Sequence, residues 1–358
     1  MIILFKRQDW VLNALILALA FFSLTTIFSA ERSSFFSQLI WFIIAFLIIF
    51  SLSQIDWQPI ANYKWMIFGF YFFTVVLLLS TLVFAPFIRQ SRGWLVFGPF
   101  QFQPSELAKV SLLILLTYFF AKRHIGIAHL KTLVISFVYF FIPGLIILIQ
   151  PDWGSALVLF GLWIGFLLIS GIRWRHLLIG AALLVILGFA SWSFLFADYQ
   201  KERIIGFLEP SYDPLGVNYS VIQSKIAIGS AGIFGKGFMQ GTQTQLGFLT
   251  ESSTDFIFAA LVEEWGFLGG FFLLLVFLIL IFKIIRIGLN SNNNFSQLIC
   301  LGTVILFLME FIINIGSNIG LLPVVGVTFP LFSYGGSSLL TKAILLGIIQ
   351  SIAVRNKF

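Results

Sequence analysis

Ten apolar stretches leave this chain little choice of fold. They lie at 10–29, 36–54, 65–85, 105–121, 133–149, 154–170, 177–196, 256–282, 297–320 and 338–354. At ~1.5 Å of rise per residue, each helix would reach most or all of the way across a hydrocarbon layer of about 30 Å. The runs are continuous. Barrel strands would instead alternate apolar and polar residues over about ten positions, so the expected class is all-α and polytopic. Only 10% of the residues are charged, against about 25% in soluble domains, too few to clothe a water-facing surface. Met1–Arg7 is short and basic, but the run behind it is long enough to span and no small-residue cleavage site follows. It reads as the lead into the first span rather than a removable leader. The single cysteine, Cys300, excludes an internal disulfide and any thiolate metal cluster.

Charge orients the spans. Lys6, Arg7, Lys64, Lys122, Arg123, Lys131, Arg173, Arg175, Lys283, Arg286, Arg355 and Lys357 all fall in short connections on one face, twelve of the 21 Lys and Arg. Basic short loops stay cytoplasmic, so both termini are expected there, which an even number of spans requires. The net charge of +7 is therefore a topology signal rather than a nucleic-acid footprint. The opposite face receives 86–104, the turn at 150–153, a long loop over 198–255, and 321–337. The whole chain, 1–358, reads as a single membrane domain with that long loop inside it. Val217–Ser230 mixes Val221, Ile222, Ile226 and Ile228 with Asn218, Gln223 and Lys225, which suits a short amphipathic helix. The glycines at 229, 232, 235, 237 and 241 then predict a tight, turn-rich segment.

Polar groups converge on that face in four places. Arg92-Gly-Trp94 precedes Pro104-Ser105-Glu106, a helix start in which Glu106 and Lys109 share one helix face and can pair. Asp152 sits in a turn between two apolar runs, where an N-cap role is the plain expectation. Asp255 opens the apolar helix that contains Glu263 and Glu264. Trp265–Phe282 alone gives 18 residues, ~27 Å of helix, so the Glu pair is placed near the outer interface and Asp255 above it. Glu310, Asn314 and Asn318 recur every fourth residue as a polar stripe expected to face other helices, most simply as interhelical hydrogen bonding. Ser333, Gly335 and Gly336 complete the surface, with a weak suggestion of a phosphate cradle.

In order along the chain, these motifs resemble the SEDS family (shape, elongation, division, sporulation). The resemblance rests on Arg92-Gly-Trp94, Gln103-Pro-Ser-Glu106-Leu-Ala-Lys109 and Gln150-Pro-Asp152. It continues through Ala227–Gly237, Gly241-Thr-Gln243, Thr254-Asp-Phe-Ile-Phe258, Glu263-Glu-Trp-Gly266, Asn314-Ile-Gly316 and Ser333–Ser338. It covers nearly the whole chain. It implies a peptidoglycan glycosyltransferase in the bacterial cytoplasmic membrane, polymerising lipid II at the outer face for cell elongation and shape. The implied partners are a class B penicillin-binding transpeptidase, lipid II, the growing glycan strand and membrane lipids, with no nucleic acid. The family's functional acid falls on Asp255, and its other functional charges on Glu106, Lys109 and Asp152. Three departures stand out. Thr250 and Ser253 replace the usual Pro and His ahead of Asp255. Asp152-Trp-Gly-Ser155 replaces Asp-Leu-Gly-Thr. Pro323-Val-Val-Gly-Val-Thr-Phe-Pro330 replaces Pro-Val-Thr-Gly-Ile-Pro-Leu-Pro.

An inverting single displacement needs one base and countercharge for the departing pyrophosphate. Asp255 is the expected base. Arg92, Lys109, Lys225 and Lys236 are the candidate countercharges, and Glu106 and Asp152 the candidates for shaping the cavity. A divalent cation, Mg or Mn, is a candidate bridge between the phosphates, and no organic cofactor is called for. Three alternatives stay open: a lipid flippase lined by Glu310, Asn314 and Asn318, a division or sporulation paralogue, and a non-catalytic scaffold.

Overall fold

The computed structural model describes residues 8–60, 63–86, 91–98, 100–122, 130–176, 178, 180, 182, 198–209 and 211–355. Apart from 178, 180 and 182, the predicted span at 177–196 lies outside the described residues, as do the topology residues Lys6, Arg7, Arg123 and Lys357. In chain order the elements are α1 (Trp10–Ala30), α2 (Arg32–Ser53), α3 (Trp57–Ile60), α4 (Lys64–Phe84), β1 (Leu95–Phe97) and β2 (Phe100–Phe102). There follow α5 (Pro104–Ala121), α6 (Leu130–Ile149), α7 (Trp153–Ile169), α8 (Asp198–Leu208), α9 (Tyr219–Ser230) and α10 (Thr242–Gln245). The last three are α11 (Ile257–Leu289), α12 (Asn294–Asn318) and α13 (Gly336–Arg355). The chain is an all-α polytopic membrane protein. Among the described residues, eight helices are long and apolar enough to cross a bilayer, and α7 is a shorter apolar one.

Local chemistry sets the helix starts. Asp9 caps α1 by accepting from the Leu12 N–H at 3.1 Å, and Asp152 caps α7 by accepting from the Ser155 N–H at 3.0 Å. Pro104 opens α5, where its missing N–H costs nothing. The connection expected as loop over 86–104 contains a small antiparallel hairpin, with Leu95 opposite Phe102 and Val96 opposite Gln101.

α5 and α13 are largely buried, whereas α2 and α4 present most of their surface outward. That division explains how α5 can carry Ser105, Glu106, Lys109, Ser111 and Thr117 across a membrane: other helices surround them. α2 packs along α13, α4 along α5, and α12 lies against α5, α7 and α11. Gly161 and Gly165 let α7 approach α12, because a methyl group at either would strike Met309 or Ile305. Phe277 of α11 stacks on Phe311 of α12 at 4.8 Å, and Phe329 packs edge-on to both. This aromatic knot pulls the 323–330 segment into the bundle.

The two ends of the bundle differ. At one, Gln8 donates to Ser53, Lys283 pairs with Asp9 at 2.7 Å, and Arg355 donates to the Gln54 carbonyl. The first and last described residues therefore lie at the same end, as the even span count requires. At the other end the loops over 91–103, 198–256 and 320–336 interlock: Gln103 N–H donates to Ser337, Ser224 to the Asn318 carbonyl, and Ser333 to the Thr254 carbonyl. The long loop does carry short helices, α8, α9 and α10. The expected amphipathic helix is α9, which rests on α11 and α12 and buries Ser224 and Ala227 against them.

The span expected to end at 282 continues to Leu289 as a helix of 33 residues. It is interrupted once, at Gly266, whose φ of 73° and ψ of −174° are open to glycine alone. Glu263 and Glu264 lie just before that break. Both are buried, at 0% and 3% exposure, under the 232–245 segment.

Candidate functional site

Asp255 stands in a turn two residues before α11 begins, half-buried at the loop-rich end. Its backbone is held from several sides. Its carbonyl accepts from the Asn318 Nδ2 at 2.7 Å and the Asn314 Nδ2 at 3.0 Å. Ser333 Oγ donates to the Thr254 carbonyl at 2.7 Å, and the Tyr334 N–H donates to the Ser253 carbonyl at 2.9 Å. Asn314 also donates to the Val327 carbonyl at 2.8 Å, which fixes the 326–328 segment beside the turn. Gly326, exposed and at φ 72°, faces the carboxylate: a methyl group there would lie 3.9 Å from the Asp255 Oδ2. Asn314 and Asn318 of the polar stripe, expected as interhelical glue, therefore position a turn and its carboxylate.

The deeper residue of the stripe does something else. Glu310 joins Glu106, Lys109 and Lys342 in a buried tetrad, each residue no more than 5% exposed. Lys109 Nζ lies 2.7 Å from Glu106 and 2.9 Å from Glu310, and Lys342 Nζ lies 3.2 Å from Glu106 and 3.0 Å from Glu310. Two positive and two negative groups balance, which is what makes charge at this depth affordable. Lys342 also donates to Ser338, whose hydroxyl shares a hydrogen bond with Thr328 at 3.0 Å. Sequence reasoning missed Lys342. An ionisable residue inside an apolar run was the available signal, since it has to find a partner.

Asp152 does more than cap α7. Its Oδ2 accepts from Gln103 at 3.1 Å and Ser105 at 3.3 Å, tying the α7 start to the α5 start. The neighbouring Gln150 carbonyl accepts from the Arg92 N–H and the Ser91 hydroxyl. Glu263 receives the Lys236 ammonium at 2.8 Å, the N–H groups of Gln243 and Thr244, and the Thr244 hydroxyl. Glu264 accepts from Ser29 and Gln245. Ser253, standing where the resemblance leads one to expect His, donates to Glu31 at 2.8 Å.

The four candidate countercharges thus divide. Lys109 lies in the tetrad and Lys236 is bound to Glu263 and Thr242. Arg92 and Lys225 are exposed at the loop-rich end. Lys225 borders a cavity of about 180 Å3 between α8, α9 and the turn at 320–324, with Gly206, Asn218, Val221 and Pro323 among its walls. In the 333–336 segment, suggested as a phosphate cradle, several groups already have partners. Gly335 N–H donates to Gln38, Ser333 is taken up by Thr254 and Phe329, and Gly336 packs on the Trp41 ring. Among the described residues, no three His, Cys, Asp or Glu side chains gather as a metal-binding set.

The FTSW_RODA_SPOVE family model, described as cell cycle protein, matches residues 7–358. The peptidoglycan glycosyltransferase MrdB of Escherichia coli (strain K12) is 40% identical over 291 residues, covering 80% of this chain and 77% of its own. Stage V sporulation protein E of Bacillus subtilis (strain 168) is 33% identical over 332 residues, 92% of this chain and 89% of that one. A solved chain from a study of the structural coordination of polymerization and crosslinking by a peptidoglycan synthase complex superposes with a TM-score of 0.83. It is 31% identical and the match covers 98% of both chains. Motif order, fold and overall likeness agree, and the chain belongs to the FtsW/RodA/SpoVE family of cell cycle proteins.

Proposed function

We propose that this protein is a peptidoglycan glycosyltransferase that polymerises lipid II in the bacterial cytoplasmic membrane, with its site on the extracytoplasmic face. The observation that carries the reading is the Asp255 carboxylate. It is half-buried at one end of the bundle, on a turn whose carbonyls are tied to Asn314, Asn318 and Ser333. A base that must meet an incoming hydroxyl gains from being held in place before the substrate arrives. The relatives' names support the reaction class, and the basic short loops support the orientation.

The acceptor sugar hydroxyl attacks the anomeric carbon of the donor. Asp255 takes its proton, a new glycosidic C–O bond forms, and the bond to the pyrophosphate breaks with its electron pair leaving on the polyprenyl pyrophosphate. One displacement inverts the anomeric centre. Arg92 and Lys225, exposed at the same end, supply countercharge for the leaving group. Lys109 and Lys236 are bound to carboxylates and serve the scaffold. Among the described residues no three His, Cys, Asp or Glu side chains gather, so a Mg or Mn ion bound with the substrate would draw most of its ligands from phosphate oxygens and water and would supply further countercharge to the leaving group.

The partner is a penicillin-binding transpeptidase, which the likeness to a chain of a peptidoglycan synthase complex supports. Elongation is the preferred role. The flippase alternative needed a polar path along Glu310, Asn314 and Asn318, and those side chains are bonded to the tetrad and to backbone carbonyls instead. The test is purified protein with lipid II, with and without the transpeptidase. Asp255→Asn should abolish polymer while leaving the thermal midpoint in place. Unchanged polymer from a folded variant removes Asp255 as the base.

A further inference from the structure

The break in α11 at Gly266 is filled by a piece of the long loop. Below the break, the Phe267 N–H donates to the Gly232 carbonyl at 3.0 Å and the Leu268 N–H to the Ile233 carbonyl at 3.2 Å. Above it, the Lys236 N–H donates to the Glu263 carbonyl at 2.9 Å and the Gly237 N–H to the Glu264 carbonyl at 3.0 Å. The two backbones touch. A methyl group on Gly235 would collide with the Glu264 carbonyl and the Gly266 N–H, and one on Gly266 would collide with the Ile233 carbonyl. Gly235 and Gly266 also adopt φ values of 79° and 73°, so both positions demand glycine on two counts.

Depth follows from two neighbouring helices. Asp9 and Lys283 pair at one end, and Ser29 and Glu264 are bonded at the other. Asp9 to Ser29 along α1 and Lys283 to Glu264 along α11 each span roughly 30 Å at ~1.5 Å per residue, about one hydrocarbon thickness. The loop bonds to Phe267 and Leu268 instead, roughly 5 Å further in on the same scale. Irregular backbone at that depth survives only if its polar groups are paired within the protein, and the helix break supplies those partners. The side chains fit the same depth. Ile233 is 62% exposed and Phe234 78%, and the outward face of α11 continues from them with Phe267 at 67% and Phe271 at 48%. The chain then rises past Phe238, which stacks on Phe28, to Met239, whose sulfur contacts Arg32.

We propose that residues 232–237 form a re-entrant loop whose tip, Ile233 and Phe234, inserts among phospholipid acyl chains and anchors the 198–255 loop to the bilayer. The occupant is lipid because the tip is continuous with the outward face of a membrane span and shares its apolar character. The inference rests on the membrane fold and not on the glycosyltransferase reading.

The test is spin labelling of the full chain in phosphatidylcholine–phosphatidylglycerol vesicles. Phe234→Cys and Ile233→Cys are each labelled with a nitroxide, and collision with oxygen is compared with collision with a water-soluble nickel chelate. The native Cys300 is fully buried, and the unsubstituted chain gives the background. Phe271→Cys serves as the lipid reference and Leu215→Cys, 88% exposed in the loop, as the aqueous one. Oxygen should dominate at 233 and 234 as it does at 271. Chelate dominating there, as at 215, overturns the proposal. Should the substituted chains fail to fold, a phospholipid with a photoreactive acyl chain is applied to the unsubstituted protein. Adducts at 233–234 support insertion, and adducts on the 271 region with none on the loop refute it.

Discussion

At the scale of single residues, Asp255 depends on two asparagines 59 and 63 positions away. Asn318 works in both directions: its Nδ2 donates to the Asp255 carbonyl while its Oδ1 accepts from the Ala259 N–H at 3.2 Å. Asn318→Ala would leave the buried Ala259 N–H without this acceptor and the Asp255 carbonyl with Asn314 alone, a cost of about 1–3 kcal/mol. We expect a lower thermal midpoint in detergent and slower lipid II polymerisation, with the loss in kcat rather than KM because a displaced base affects the chemical step. Asn318→Asp should not rescue it, since a carboxylate accepts from Ala259 but cannot donate to Asp255. The i, i+4, i+8 spacing made the stripe legible as inward-facing. What it faces was not legible, because hydrogen-bond partners distant in sequence leave no local pattern.

At the scale of elements, the informative departure is the break in α11. Glu263-Glu-Trp-Gly266 reads locally as uninterrupted helix, and glycine in a helix interior ordinarily costs only about 1 kcal/mol. The break forms because the 232–237 backbone takes up the hydrogen bonds that the helix gives away. Gly266→Ala forces a side chain into a backbone conformation worth about 1–3 kcal/mol of strain and into collision with the loop. We expect a lower unfolding midpoint together with new protease cleavage within 231–249, where α10 would lose its seat on Glu263. A drop in midpoint without new cleavage would indicate that the loop holds on by other contacts. The density of glycines over 229–241 did announce tight backbone approach. It did not announce that the approached surface would be a transmembrane helix.

At the scale of the whole molecule, the tetrad joins α5, α12 and α13 through charges in the interior. Lys342→Met would leave two carboxylates sharing one ammonium, and loss of one member of a buried ionic group typically costs about 3–5 kcal/mol. Pairing it with Glu310→Gln restores neutrality. We expect the double variant to be more stable than the sum of the singles, and a double-mutant cycle on thermal unfolding measures the coupling. Additive losses would mean that the two groups act independently. The i,i+3 spacing pairs Glu106 with Lys109, and that pair forms. The same spacing rule puts Glu310 in a separate stripe and leaves Lys342 unmarked, so half of the network is invisible in the sequence. Contacts between helices remote in sequence are settled by packing, not by spacing.

Hydropathy alone determined that this chain is a polytopic helical membrane protein, because apolar runs of this length have nowhere else to go and a bilayer requires each backbone to satisfy itself. Charge in the short loops determined an even arrangement with both ends together, and motif order determined the family. Tertiary structure decided which cations are committed to carboxylates and which are exposed, which asparagines hold Asp255, and where α11 gives way to a loop. Those outcomes depend on groups far apart in the chain meeting inside a low-dielectric interior, where an unpaired charge or N–H is costly enough to select one arrangement from the many that the local sequence permits.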